Sequence, residues 1–185
     1  DNVFHGGGIT LALEAAMRNR TGATIFGYPV RDPRAFGVVE FDENNNVVSI
    51  EEKPKNPKSN FAVPGLYFYD NDVISIAEKV QPSDRCEIEI TDINNEYLKR
   101  KKLKVITLGR GMAWLDTGTP SNMQEASSFV KSIQNQQGYY VACLEEIAYQ
   151  KGYITLEQLR KNGMKYKNSD YGRYILSICD EREDN

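Results

Sequence analysis

The sequence predicts an α/β fold that ends in a small helical subdomain. Three observations predict it. Runs rich in β-branched and aromatic residues alternate with segments of helical period as far as Gln137. Two of the runs, residues 36–41 and 47–52, are joined by Asp42-Glu43-Asn44-Asn45-Asn46, whose asparagines tolerate the left-handed backbone of a hairpin turn. After Gly138 the texture becomes helical and rich in tyrosine. The expected division is therefore residues 1–138 and 139–185.

Composition sets the bounds. In 185 residues, 40% hydrophobic content is enough to fill a core. A formal net charge of −3 argues against a nucleic-acid partner, which would require a basic face. No apolar run reaches membrane length and no signal peptide opens the sequence, so the expectation is a cytoplasmic protein with no membrane partner. Cys86, Cys143 and Cys179 are widely spaced and form no CxxC pair. They suit a reducing compartment, each as a small, partly buried residue. With His5 the one histidine, a zinc site is not expected.

Taken in order, Asp1-Asn2-Val3-Phe4 leads through His5-Gly6-Gly7-Gly8 into a helix over residues 9–19, with Ile9, Leu13, Ala16 and Met17 on one face. The glycine triplet is either an anion cradle at the helix start or a plain turn. Residues 23–30 read as a strand, with Pro29 near its end. In the hairpin that follows, Gly37 interrupts an apolar strand, which points to a close approach by a ligand or by another strand. The second hairpin strand delivers Glu51, Glu52 and Lys53 to its carboxyl end, and Pro54 stops it there for want of an N–H. Charged groups at strand ends are where α/β folds place chemistry.

Residues 61–69 read as one buried strand. A helix follows, capped by Asp70 or Asn71, with Val73, Ile74, Ala77 and Val80 as its apolar face. The next helix shows Ile90, Ile93 and Tyr97, with Glu87, Glu89 and Asp92 loading its first turns and Arg85 placed to pair with them. The basic run Lys99-Arg100-Lys101-Lys102 suits the end of that helix. Residues 103–108 alternate into a strand, and Gly109-Arg110-Gly111 turns toward Trp114-Leu115-Asp116. Asp116, between a strand and a helix, is a metal ligand or a local turn-former. Thr119 and Pro120 start a helix that runs to Gln137 with Met123, Ala126, Phe129, Val130 and Ile133 on one face, and Gly138 ends it. Short helices are expected over 145–151, 155–162 and 171–179.

An ordered series of motifs carries a resemblance. Asp1-Asn2, the run from Phe36 to Asp42, Glu51-Glu52-Lys53-Pro54, Pro57-Lys58-Ser59-Asn60, Gly65 to Tyr69, Glu87 to Asp92, Trp114 to Gly118 and Cys143 to Ala148 together resemble the glucose-1-phosphate thymidylyltransferase family of sugar nucleotidyltransferases. That resemblance implies a Rossmann-like mixed sheet flanked by helices, the C-terminal portion of a nucleotidyltransferase fold. It implies the reaction of dTTP with glucose 1-phosphate to give dTDP-glucose and pyrophosphate, the first step of dTDP-rhamnose biosynthesis.

The same resemblance nominates residues. Asp1 and Asp116 would hold Mg²⁺. Lys53 and Arg85 would act on the sugar phosphate, Glu52 would accept hydrogen bonds from glucose hydroxyls, and Gly37 and Val63 would give close backbone contacts. His5, Gly6, Arg110, Glu146 and Ile147 would belong to a second, feedback nucleotide site. A homotetramer is implied.

Two departures accompany these expectations. The family's glycine-rich nucleotide loop and its arginine have no counterpart here, so turnover by these residues alone is not expected, and base choice stays open between dTTP and UTP. A non-catalytic sugar-nucleotide-binding fragment is the reading outside enzymology. In addition Cys86 follows Arg85 where the family usually has glycine, and cysteine adopts a positive φ less readily.

Overall fold

The computed structural model describes residues 2–83 and 85–183. The chain forms two compact units that divide between Met123 and Gln124. The first contains β1 (Asn2–His5), α1 (Ile9–Arg18), β2 (Ala23–Pro29), β3 (Gly37–Phe41), β4 (Val47–Glu52), β5 (Phe61–Val63) and β6 (Tyr67–Tyr69). It continues through α2 (Asp72–Ala77), α3 (Ile90–Lys99), β7 (Leu103–Thr107) and β8 (Ala113–Asp116). Helix α4 (Pro120–Gln137) spans the division, and Gly138, with φ +72°, stands at its end.

β2 is the axis of the larger sheet. Ala23 to Gly27 are buried because neighbours pair along both of its edges. The order is β4-β3-β5-β2-β6, and β7 joins β2 in parallel, so the sheet is mixed as expected. β1 and β8 form a separate antiparallel pair in which Asn2 faces Asp116 and His5 faces Ala113. Cores fill the spaces between layers: Ile25, Val39, Ile50 and Val63 in one, Ala23, Ile76, Ile93 and Tyr97 in another, and Ala16, Phe26, Leu108 and Met112 in a third.

Several expectations are corrected. Residues 61–69 are two strands, because Pro64 has no N–H to donate and Gly65 gives its own to Asn2 Oδ1 at 3.2 Å. Both pieces pair with β2, yet Tyr28 faces Ala62 while Ile25 faces Tyr67, so the ladder skips at the kink. In α2 the buried residue is Ile76, while Ile74 is 63% exposed. Glu87 and Glu89 precede α3 instead of loading its first turn, which leaves Asp92 as the acid there. Met123 is exposed, so the covered face of α4 lacks its first expected member. The glycine of the first turn answers to packing: a Cβ on Gly6 would lie 2.3 Å from Gly111 O.

The second unit holds α5 (Leu144–Gln150), α6 (Leu156–Lys165) and α7 (Asp170–Glu183) around Cys143, Leu159, Ile175 and Cys179. Thr155 caps α6 in a reciprocal box with Gln158. Gly163 lets α6 meet α7 closely, since a Cβ there would stand 2.9 Å from Ile175 Cγ2. Two of the three cysteines are thus fully buried, whereas Cys86 is exposed. No described helix is long and apolar enough to cross a membrane.

Candidate functional site

Sheet register places three of the nominated residues in a row. Gly37 on β3 is opposite Glu52 on β4 and opposite Val63 on β5. Residues directly opposite in an antiparallel ladder present their side chains to the same face. The row therefore reads carboxylate, bare backbone, isopropyl. A Cβ on Gly37 would lie 3.2 Å from Thr91 Oγ1 and 3.3 Å from Glu52 Oε2. Of the two readings of Gly37, the close approach within this chain is made by the Glu52 and Thr91 side chains. The Thr91 hydroxyl donates to Glu52 Oε2 at 2.5 Å, which fixes the carboxylate over the row.

Arg85 reaches the row from the loop ahead of α3. Its Nε and Nη2 donate to Glu89 Oε1 at 3.1 and 2.7 Å, and the Ser83 hydroxyl donates to the same oxygen at 2.8 Å. Nη2 also lies 3.7 Å from Glu52 Oε1 and 3.3 Å from Glu87 Oε2. The Arg85 hydrogen bonds, followed by that of Ser83, hold the Glu89 carboxyl below its ordinary range. Partial burial opposes them and the Lys53 charge adds a smaller pull. In turn Glu89 raises the Arg85 guanidinium above its ordinary value.

The loop that carries Arg85 closes on itself, Cys86 N–H donating to Ser83 O and Ser83 N–H to Glu87 O, each at 2.8 Å. Cys86 has φ +59°, the left-handed backbone that the family's glycine would adopt without strain. Lys53 follows Glu52 directly and is itself left-handed, at φ +43°. Its N–H donates to Phe36 O at 3.0 Å, and its exposed side chain lines an open depression of about 570 Å³ with Asp32, Arg34 and Lys55. A cavity of about 810 Å³ between β4 and the helices α2 and α3 is lined by none of the nominated residues.

Asp116 ends β8 beside Gly118, where a Cβ would stand 3.2 Å from Asp116 Oδ2. Asp1 lies outside the described residues. No group of three or more metal-ligating side chains occurs among the described residues. One or two carboxylates suit Mg²⁺ all the same, because that ion keeps several waters and takes phosphate oxygens. Asn2 ties this strand pair to the row: its Oδ1 accepts from Trp114 Nε1 at 2.6 Å and from the Gly65 N–H two residues beyond Val63. The Trp114 ring packs on Phe36, next to Gly37, at a centroid distance of 4.9 Å.

Of the nominated feedback residues, His5, Gly6 and Arg110 gather in the first unit. His5 faces Ala113, and Gly6 abuts Gly111, the residue after Arg110. Glu146 and Ile147 are neighbours on α5 in the second unit, where Glu146 accepts from Tyr174 OH at 2.6 Å. Sequence reasoning did not nominate Glu89, Thr91, Ser83 or Asn2. Their signal was spacing: Arg85 and Glu89 stand four apart, and Thr91 follows two later in the same motif.

The chain is similar to several known proteins. Over 178 residues the chain is 49% identical to a glucose-1-phosphate thymidylyltransferase of Neisseria gonorrhoeae, covering 96% of this chain and 62% of that protein. It is 48% identical to the enzyme of that name from Xanthomonas campestris pv. campestris, with 97% and 61% covered. The chain thus spans about three-fifths of the length of these curated relatives. Among solved structures, one described as a glucose-1-phosphate thymidylyltransferase of Bacillus anthracis in complex with sucrose matches at TM-score 0.60 and 40% identity, over 70% of this chain and 51% of that one. A UDP-glucose pyrophosphorylase complexed with UDP-glucose matches at TM-score 0.61 and 21% identity, over 71% and 53%, a likeness of fold alone. The family model described as nucleotidyl transferase matches residues 1–133, and the chain belongs to that family.

Proposed function

We propose that this chain is the sugar-phosphate- and metal-binding part of a glucose-1-phosphate thymidylyltransferase. The observation that carries the reading is the row of Glu52, Gly37 and Val63, with Arg85 beside Glu52 and Lys53 next in sequence. A flat, bare strip bordered by one hydrogen-bond acceptor and one apolar wall suits the face of a hexose, and two cations at its edge suit a phosphate.

In the proposed reaction an oxygen of the sugar phosphate attacks the α-phosphorus of dTTP in line. A new P–O bond forms as the α–β bridge breaks, and its electron pair leaves with pyrophosphate. Two polyanions must be brought together, so positioning and charge neutralisation dominate over acid–base work. Glu52, held by Thr91, orients the sugar. Gly37 and Val63 set its depth. Arg85, steadied by Glu89, and Lys53 hold the phosphate and offset its charge. Asp116 and Asp1 would hold Mg²⁺, which when bound supplies charge neutralisation at the phosphates. The wider expectations of a cytoplasmic homotetramer feeding dTDP-rhamnose synthesis belong to the same proposal and rest on the family resemblance of the sequence motifs.

The test is Mg²⁺-dependent pyrophosphate release from glucose 1-phosphate with dTTP and, separately, with UTP, using a preparation of recorded intact mass. Release with dTTP establishes the reaction. Preference for UTP assigns a uridylyltransferase. Absence of release from a chain of full family length defeats the proposal.

A further inference from the structure

Arg85 is met by three carboxylates, and they are not equivalent. Glu89 has a side chain only 11% exposed, and one oxygen takes two guanidinium N–H groups and the Ser83 hydroxyl. Glu52 is tied to Thr91 and approaches Nη2 no nearer than 3.7 Å. Glu87 is 63% exposed, and its carboxylate has Arg85 Nη2, at 3.3 Å, as its side-chain partner among the described residues. Two are built in and one is loosely placed.

The charges do not suit an incoming phosphate as they stand. Around Nη2 itself, three carboxylates at 2.7, 3.3 and 3.7 Å face the one positive charge of Arg85. A phosphate dianion entering that cluster meets net repulsion unless a carboxylate leaves. An exposed ion pair is held weakly, so the one that leaves at least cost is Glu87. Its departure removes an anion 3.3 Å from Nη2, while Nη2 keeps its 2.7 Å bond to Glu89.

We propose that Glu87 is a displaceable stand-in for the substrate phosphate, occupying Arg85 Nη2 until a phosphate dianion replaces it. This rests on the reading of Arg85 as a phosphate-holding residue. Glu87 touches no reacting atom in this scheme. It sets how strong an anion must be to gain Arg85, while Glu89 keeps the guanidinium aimed.

The test is calorimetric titration of the wild type and Glu87→Gln with inorganic phosphate and with glucose 1-phosphate at low ionic strength. Removing one exposed charge a few ångströms from the ligand should tighten both by roughly three- to tenfold. The difference should shrink in high salt, because exposed charges are screened there. Melting temperature should not change, since the side chain is exposed. Equal or weaker phosphate binding by Glu87→Gln overturns displacement. Tighter phosphate binding with glucose 1-phosphate bound by neither protein upholds displacement and removes the sugar-phosphate reading.

Discussion

The two halves of the candidate site are positioned by different physics. Glu52, Gly37 and Val63 take their places from backbone ladders, each opposite its neighbour on adjacent strands. Arg85 takes its place from side chains: Glu89 and Ser83 tether a loop whose backbone holds a non-glycine residue at φ +59°. A ladder spreads the cost of a local change over many hydrogen bonds, whereas a tethered loop depends on two or three. The strand half should therefore resist everything except steric intrusion, and the loop half should respond to single charges.

Intrusion into the row is the change with the largest expected effect. In Gly37→Val the new Cβ would stand 3.2 Å from Thr91 Oγ1 and 3.3 Å from Glu52 Oε2, and its methyl groups would fill the bare strip. Overpacking of this kind costs about 1–3 kcal/mol, and glucose 1-phosphate binding should be lost. Denaturant unfolding reads the first quantity and calorimetry the second. Wild-type affinity in a folded Gly37→Val protein would mean that the sugar lies elsewhere.

Next in size is a change that removes charge and leaves the ladder alone. Lys53→Ala keeps a Cβ at φ +43°, so backbone strain and melting temperature should stay as they are. Pyrophosphate release by the full-length enzyme should fall about a hundredfold or more, the scale on which a lost electrostatic contact to a transition state is felt. Unchanged turnover would remove Lys53 from the mechanism.

On the loop side, Glu89→Gln keeps the shape and removes the tethering charge. Because the folded carboxyl is held below the ordinary glutamate range, its contribution to stability is present above that range and is lost as pH falls through the depressed folded value. Melting curves of wild type and Glu89→Gln should therefore differ most at neutral pH and converge under acid. Curves that stay parallel from neutral pH into acid would show that the Glu89 charge does not steady the loop.

The same contrast explains what the sequence made legible. Hairpin and strand residues were readable because period-two patterning, the Asp42–Asn46 turn and the break at Pro54 are local signals. The alignment of Gly37 with Val63 was not, since it depends on how β5 pairs with β3 after a long excursion. The kink at Pro64-Gly65 was half hidden: the missing N–H of Pro64 is a local signal, but the Asn2 side chain that takes the Gly65 N–H lies sixty-three residues away. Glu89 looked like a helix-dipole acid because helix starts are legible only to within a turn. The true start at Ile90 turns its side chain back to Arg85.

The smallest expected effect decides how far the loop half is governed by its tethers. Cys86 occupies the left-handed position next to Arg85, where glycine carries no Cβ penalty. Cys86→Gly relieves that strain but adds freedom to the unfolded chain, so the net gain should be about 0.5–1 kcal/mol. If Glu89 and Ser83 alone aim the guanidinium, this variant is more stable and binds phosphate with wild-type affinity. If the strained residue displaces Arg85, the affinity rises along with the stability. Measuring both on one preparation separates backbone strain from side-chain tethering: stability reports on strain, and affinity changes only if the strain reaches the guanidinium.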